Sequence, residues 1–320
     1  MGRGTASCRA SPDLDALKQS SSSAMRLSRT DRSERFQATL SGGREPPYNV
    51  SAPLRRSGRW LMNQDIDGAL QGWDARPGTV QARLVQAHDG RQVIQVRVDL
   101  GIFQIEINDR PDGTRPHGFA TYFDYLRHQA RLADRSGQAF VLSEEQCEEA
   151  DREFIQYYHR RIGWLTLRRF AQAMADADHT LAFMDFVRDH SPGEEYTQAH
   201  EQYRGFVIFQ RTHAAASLAI EHNDPEAALN AIHDGLSKLR DFFETYDLLE
   251  EMEENAMVQK LRKLDQSLRQ MHKIEATLQE QLEKAVANEE YEAAARLRDQ
   301  LRRKGNADSF RLAPPGSGQG

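Results

Sequence analysis

Cysteine is scarce in this chain: Cys8 and Cys147 are the only two in 320 residues. They lie far apart, one in a Ser-rich tail and one in an acidic helical run, so neither a disulfide framework nor a cysteine metal site is expected. No apolar run reaches the roughly 18 residues that mark a membrane-spanning helix. The basic start also lacks the apolar centre of an export signal. These absences predict a protein of a reducing cytoplasm. Missing too are a Gly-xxxx-Gly-Lys-Ser/Thr phosphate loop, paired Cys-xx-Cys ligands, and a Ser or Cys in a Gly-flanked nucleophile turn. His179, His190, His200 and His213 are scattered, without the helical spacing of a metallohydrolase. The expectation is therefore no enzyme, no cofactor and no metal.

What is present is charge. With 39% hydrophobic and 28% charged residues the chain can fill a core, but its mean hydropathy of −0.73 favours long solvated helices. The net charge of −6 is uneven: residues 1–60 carry eleven Lys/Arg against five Asp/Glu, leaving −12 for the remainder. An acidic body argues against broad binding of nucleic acid, whose affinity comes from neutralised phosphates. Residues 1–60 contain Ser20 to Ser23, Gly42-Gly43 and Pro46-Pro47 without a sustained apolar period, which predicts a disordered basic leader. Arg26, Arg29, Arg32 and Arg35, spaced three apart, leave open an arm that touches DNA or RNA. A floppy leader, or an extension ahead of a start at Met62, is the plainer reading.

The fold class expected is α+β, mainly α. Residues 61–140 predict a small antiparallel three-stranded sheet with a covering helix. Thr79–Val85 alternates, Asp89-Gly90 marks a hairpin turn, Val93, Ile94, Val96 and Val98 form a second strand, and Ile102–Ile107 a third. Three strands are near the limit of independence and need a helix over one face. Residues 141–246 predict tetratricopeptide-like helical hairpins, with Ser143 and Gln146 as a cap and breaks at Ser191-Pro192-Gly193 and Asn223-Asp224-Pro225. An apolar pattern recurs at an offset of 55 residues, Ala173, Met174 and Ala177 matching Ala228, Leu229 and Ile232. That spacing is too long for a regular solenoid of such units. Residues 247–277 predict a long coiled-coil-like helix. Met257, Leu261, Leu264, Leu268, Met271, Leu278, Leu282 and Ala285 alternate at spacings of four and three, open to packing on itself, on a second copy through residues 247–286, or on the body.

Residues 278–304 predict a two-helix hairpin dividing at Asn288-Glu289-Glu290. Leu278, Leu282, Ala285 and Val286 make one stripe, and Tyr291, Ala294, Leu297 and Leu301 the other, with Tyr291 closing the turn end. Residues 305–320 complete the chain as a disordered tail. The run Asn288-Glu289-Glu290-Tyr291-Glu292, with Ala294-Ala295 and Leu297-Arg298-Asp299, resembles the UVR motif of the excision-repair proteins UvrB and UvrC, of some Clp ATPases and of the McsA activator of a protein arginine kinase. That resemblance implies a protein-docking hairpin in which Tyr291, Ala294, Leu297, Arg298 and Asp299 fall on packing and contact positions. Its implied partner is a protein of excision repair or of Clp-type quality control. Glu290 departs from the motif's usual aspartate or apolar residue. The region from Trp60 to Tyr246 is similar to bacterial UVR-motif proteins without an assigned function.

Two other constellations carry potential chemistry. The loop with Asp109, Arg110, Asp112, Arg115 and His117 combines forked cationic donors with carboxylates and an imidazole, a set able to hold an anion or a metal. A capped, hydrogen-bonded turn would use the same residue types. Tyr157-Tyr158-His159-Arg160-Arg161 puts aromatics and arginines on adjoining helical faces, either to line a groove or to pack as core with the arginines paired to acids.

Overall fold

The structure is a computed structural model that describes residues 66–311 apart from Ala75 and Pro77, with side chains as far as Arg303. The basic leader with its arginines and Cys8, and the tail after Arg311, lie outside the described residues. A single turn, α1 (Asp67–Leu70), precedes a meander of β1 (Gln81–Gln86), β2 (Gln92–Val98) and β3 (Gly101–Glu106), antiparallel in the order β1-β2-β3. The first hairpin closes at the expected Asp89-Gly90 turn. Gly90 takes φ +86, a conformation that costs glycine nothing, and Ala87 N donates to Arg91 O at 2.8 Å. The register sets Leu84 opposite Ile94, Ala82 opposite Val96, and Ile94 opposite Ile105, making one apolar face. On the other face Arg83 Nε donates to Gln95 Oε1 at 3.0 Å. The guanidinium lies 4.1 Å over the Trp73 ring.

After a 3-10 turn at Pro116–Gly118 come α2 (Tyr122–Arg135) and α3 (Glu144–Thr166). Ser143 and Gln146 form a complete capping box at the start of α3. It is α3, beginning beyond residue 140, that covers the sheet. Gly163 lets it approach closely: a Cβ there would sit 3.0 Å from Ile94 Cγ2. Trp164, beside it, is buried with Ile94, Val96 and Ile105 in one cluster.

The helical body continues with α4 (Phe170–His190), α5 (Glu194–Glu201), α6 (Arg204–Glu221) and α7 (Pro225–Thr245), separated at the two expected breaks. Asn223 takes φ +57, Asp224 accepts from Ala227 N at 2.9 Å, and Pro225 opens α7 where its missing N–H is harmless. Helix α6 packs on both α4 and α7. The 55-residue recurrence therefore reflects two helices built to dock on one partner.

Arginines on α3 lock these layers. Arg160 forks onto Asp176 of α4, Nε to Oδ2 at 3.0 Å and Nη2 to Oδ1 at 2.8 Å, while Nη1 donates to Asp109 O at 2.8 Å. Arg161, 2% exposed, donates to Thr180 Oγ1 of α4 at 2.9 Å and Gln210 Oε1 of α6 at 2.7 Å. Tyr157 is buried and stacks on His179 at 3.8 Å. Of the two readings of Tyr157 to Arg161, these three side chains adopt the core one.

A one-turn α8 (Leu249–Met252) leads to α9 (Ala256–His272), then α10 (Leu278–Ala287) and α11 (Tyr291–Arg311). Here the structure departs from the expected continuous coil. Lys273 takes φ +54 and ends α9, so the four-three spacing from Met257 to Ala285 crosses two helices. Met257, Leu261 and Leu268 are buried, with α9 packed on α7 and α6 of the same chain. Of the three packings left open for this stripe, its α9 half takes the one along the body, and Met271, 73% exposed, stands clear. Helix α11 also runs past the expected end at Lys304, so residues 305–311 are helical.

Helices α6 and α7 meet closely at Gly235 of α7, where an added Cβ would overlap the buried Thr212 side chain of α6. Gly235→Ala should destabilise the protein by about 1–3 kcal/mol despite the better helix propensity of alanine. Combining it with Thr212→Ala should recover only part of the loss in urea unfolding, because the Cβ at position 212 would still lie 2.6 Å from the new one.

Candidate protein-docking hairpin

The C-terminal hairpin is set up by its caps. Thr277 Oγ1 accepts from Glu280 N at 3.2 Å while Glu280 Oε2 accepts from Thr277 N at 2.8 Å, a reciprocal box that starts α10. At its other end Glu290 N donates to Ala285 O at 2.8 Å and Glu289 N to Val286 O at 3.0 Å. Glu289 takes φ +59. This is a Schellman turn with glutamate where glycine is usual. The chain reverses at the expected Asn288-Glu289-Glu290, and α10 and α11 pack together.

Ala285 and Ala294, 5% and 8% exposed, are the buried residues of this pair among the described side chains. Leu278, Leu282, Leu297 and Leu301 are half-buried around them. Two residues expected in the packed stripes are outside them: Val286 is 55% and Tyr291 is 70% exposed. The tight turn brings Ala294 to the crossing and leaves the Tyr291 ring in solvent, so it does not close the turn. Arg298 and Asp299 are exposed and pair with each other at 3.1 Å.

Residues 274–306 match the UvrB/uvrC motif. No other family matches the chain, and no curated protein and no solved structure does. Of the residues that the resemblance singled out on this UVR hairpin, Tyr291, Arg298 and Asp299 lie open, Leu297 is half-covered, and Ala294 is sealed inside.

The UVR hairpin is joined to the body by Arg269 of α9. Its Nη2 meets Glu280 Oε1 at 2.5 Å, its Nε meets Asp265 Oδ2 at 2.9 Å, and its Nη1 donates to Glu275 O at 3.0 Å. Ile274 adds an apolar contact to the α6-α7-α9 cluster. Partial burial pushes the Glu280 carboxyl up, but hydrogen bonds from Arg269 and Thr277 N outweigh it and hold the group below the usual glutamate range. This joint went unread in the sequence, although Thr277-Leu278-Gln279-Glu280 is a capping-box signature.

The loop from Asp109 to His117 has its charges engaged by the fold. Arg110 is 2% exposed. Its Nη2 meets Glu149 Oε1 at 2.6 Å, and its Nε meets Asp112 Oδ2 at 3.2 Å and Glu153 Oε2 at 3.7 Å. Glu153 accepts from Tyr122 N at 2.6 Å and Phe123 N at 3.1 Å, capping α2 from a neighbouring helix. Partial burial raises the Asp112 carboxyl, but hydrogen bonds from Thr114 and Gln156, with Arg110 beside it, leave it below its ordinary value. Asp109 pairs with Arg115 at 2.7 Å, and the His117 ring stacks on Tyr125 at 4.0 Å. Among the described residues no group of three or more His, Cys, Asp or Glu is placed to hold a metal. Cys147 is buried in the core cluster shared by α2 and α3.

Two measurements separate these roles. Arg110→Met should cost about 3–5 kcal/mol in urea unfolding, because it removes the cation beside the buried Glu153 and the partly buried Glu149 and Asp112; the exposed Arg115→Ala should change stability by less than about 0.5 kcal/mol. Glu280, with its lowered pKa, stabilises the joint fully above the ordinary glutamate value, and the contribution is lost as pH falls through its folded value. The hydrogen-exchange protection factors of amides at the start of α10 should therefore fall as the pH is lowered below the ordinary glutamate value of about 4.3. Glu280→Gln should flatten that dependence.

Proposed function

We propose that this protein is a non-enzymatic adaptor that docks onto another protein through its UVR hairpin and that its partner belongs to the excision-repair machinery. The observation that carries the reading is the conjunction of the motif match over residues 274–306 with an exposed aromatic, Tyr291, and an exposed aliphatic, Val286, flanking the turn. Aromatic side chains held on a rigid element lose little entropy on binding and anchor interfaces. The hairpin itself is thin: its only buried side chains described are alanines, so a partner covering the Tyr291 end would add the large apolar contacts that it lacks. The repair assignment rests on the occurrence of the motif in UvrB and UvrC. A cytoplasmic location accords with the scarcity of cysteine, and among the described residues no helix is long and apolar enough to cross a membrane.

Tyr291→Ala combined with Val286→Asp should leave the unfolding midpoint within error, since both positions are exposed, and weaken binding to a purified UvrB or UvrC of the same host by about a hundredfold, the loss typical of removing an interface anchor. Intact protein that binds neither, but binds a purified Clp ATPase or arginine kinase, would move the assignment from repair to quality control. Unchanged binding by the double variant would reject docking through this end of the hairpin.

A further inference from the structure

An open cleft of about 500 Å³ lies where α6 meets α9, with Leu165 of α3 also in its lining. Its size falls in the range of small-molecule sites. The walls are apolar: Phe206 and Phe209 from α6 face Leu261 and Leu264 from α9. The polar groups at the cleft are Gln210, His213 and Lys260, and no carboxylate lines it.

Gln210 is the informative one. It is 5% exposed, and Arg161 Nε donates to its Oε1 at 2.7 Å. That bond fixes the amide, because the guanidinium has no acceptor. The oxygen faces the buried arginine, and the Nε2 group has no acceptor among the described residues. A primary amide whose oxygen is held in this way leaves its N–H group as a donor for whatever occupies the cleft. At the rim stands Lys260, which makes no ion pair among the described residues. It faces His213, whose pKa is lowered first by burial and then by the lysine's charge. Among the described residues no carboxylate lines the cleft beside them.

We propose that this cleft binds a small amphipathic carboxylate, its aliphatic or aromatic body between Phe206, Phe209, Leu261 and Leu264 and its head on Lys260 and the Gln210 amide. The polar groups supply N–H donors and positive charge, which selects an anionic acceptor over a cation. The apolar walls select a hydrocarbon body over a sugar or a free phosphate. The site is separate from the UVR hairpin, and the proposal stands whether or not the hairpin docks.

Titration calorimetry of the full chain with octanoate, 1-octanol and octyltrimethylammonium, each below its aggregation concentration, tests it. Octanoate should bind at one site, with octanol at least about tenfold weaker for want of the charge-assisted hydrogen bonds, and the ammonium compound weaker still. Lys260→Met, at an exposed position without an ion pair, should bring octanoate down to the level of octanol. Leu264→Trp should fill the cleft and abolish binding of both, with circular dichroism confirming that each variant is folded. No saturable heat with octanoate, equal affinity for octanoate and octanol, or full affinity in Lys260→Met would each overturn the proposal.

Discussion

The architecture depends on the forked contact of Arg160 with Asp176. A guanidinium cannot give up its charge, so its burial requires a carboxylate and further acceptors at fixed positions. Asp176 supplies the first from α4. The carbonyl of Asp109, just beyond β3, supplies the second. One side chain of α3 thereby positions the helical body and the loop that leaves the sheet, and the neighbouring Arg161 extends the same control to α6. Such a network contributes less to net stability than an apolar core of equal volume, because desolvation offsets its attraction. What it supplies is a single arrangement, since any slip of α3 by a residue would strand buried charge.

Much of this was legible in the residues. The Asp89-Gly90 turn, the Ser143 cap, the breaks at Pro192 and Pro225 and the reversal at Asn288 are encoded by neighbours in sequence, where side chains satisfy their own backbone. The pairings of Arg110 and Arg160 were not, because their partners lie across loops and helices and composition carries no distance. The seam in α9 was read with the right period and left open as to its partner: periodicity marks a buried stripe without saying what buries it. Lys273, a non-glycine in the left-handed region, gave no warning of the helix end.

The exposed state of Tyr291 shows the same limit at the docking hairpin. A stripe drawn at helical spacing assigns it inward, but the three-residue turn sets the crossing one helical turn later, at Ala294. The motif's small residues therefore serve the hairpin itself, and its aromatic remains outside. The ion pairs of Arg269 and the contact of Ile274 attach the start of the hairpin to the body, and the Tyr291 end stays exposed.

The cover on the sheet has a consequence for the order of folding. Ile94, Val96 and Ile105 are buried by Trp164, Phe170, Ala173 and Ala214, side chains that a ribosome supplies long after the strands. The meander is synthesised well before the last of these side chains, so its apolar face waits, exposed, until α6 has emerged. That delay places the greatest hazard of misassociation on the nascent chain before residue 214, well ahead of the hairpin that completes it.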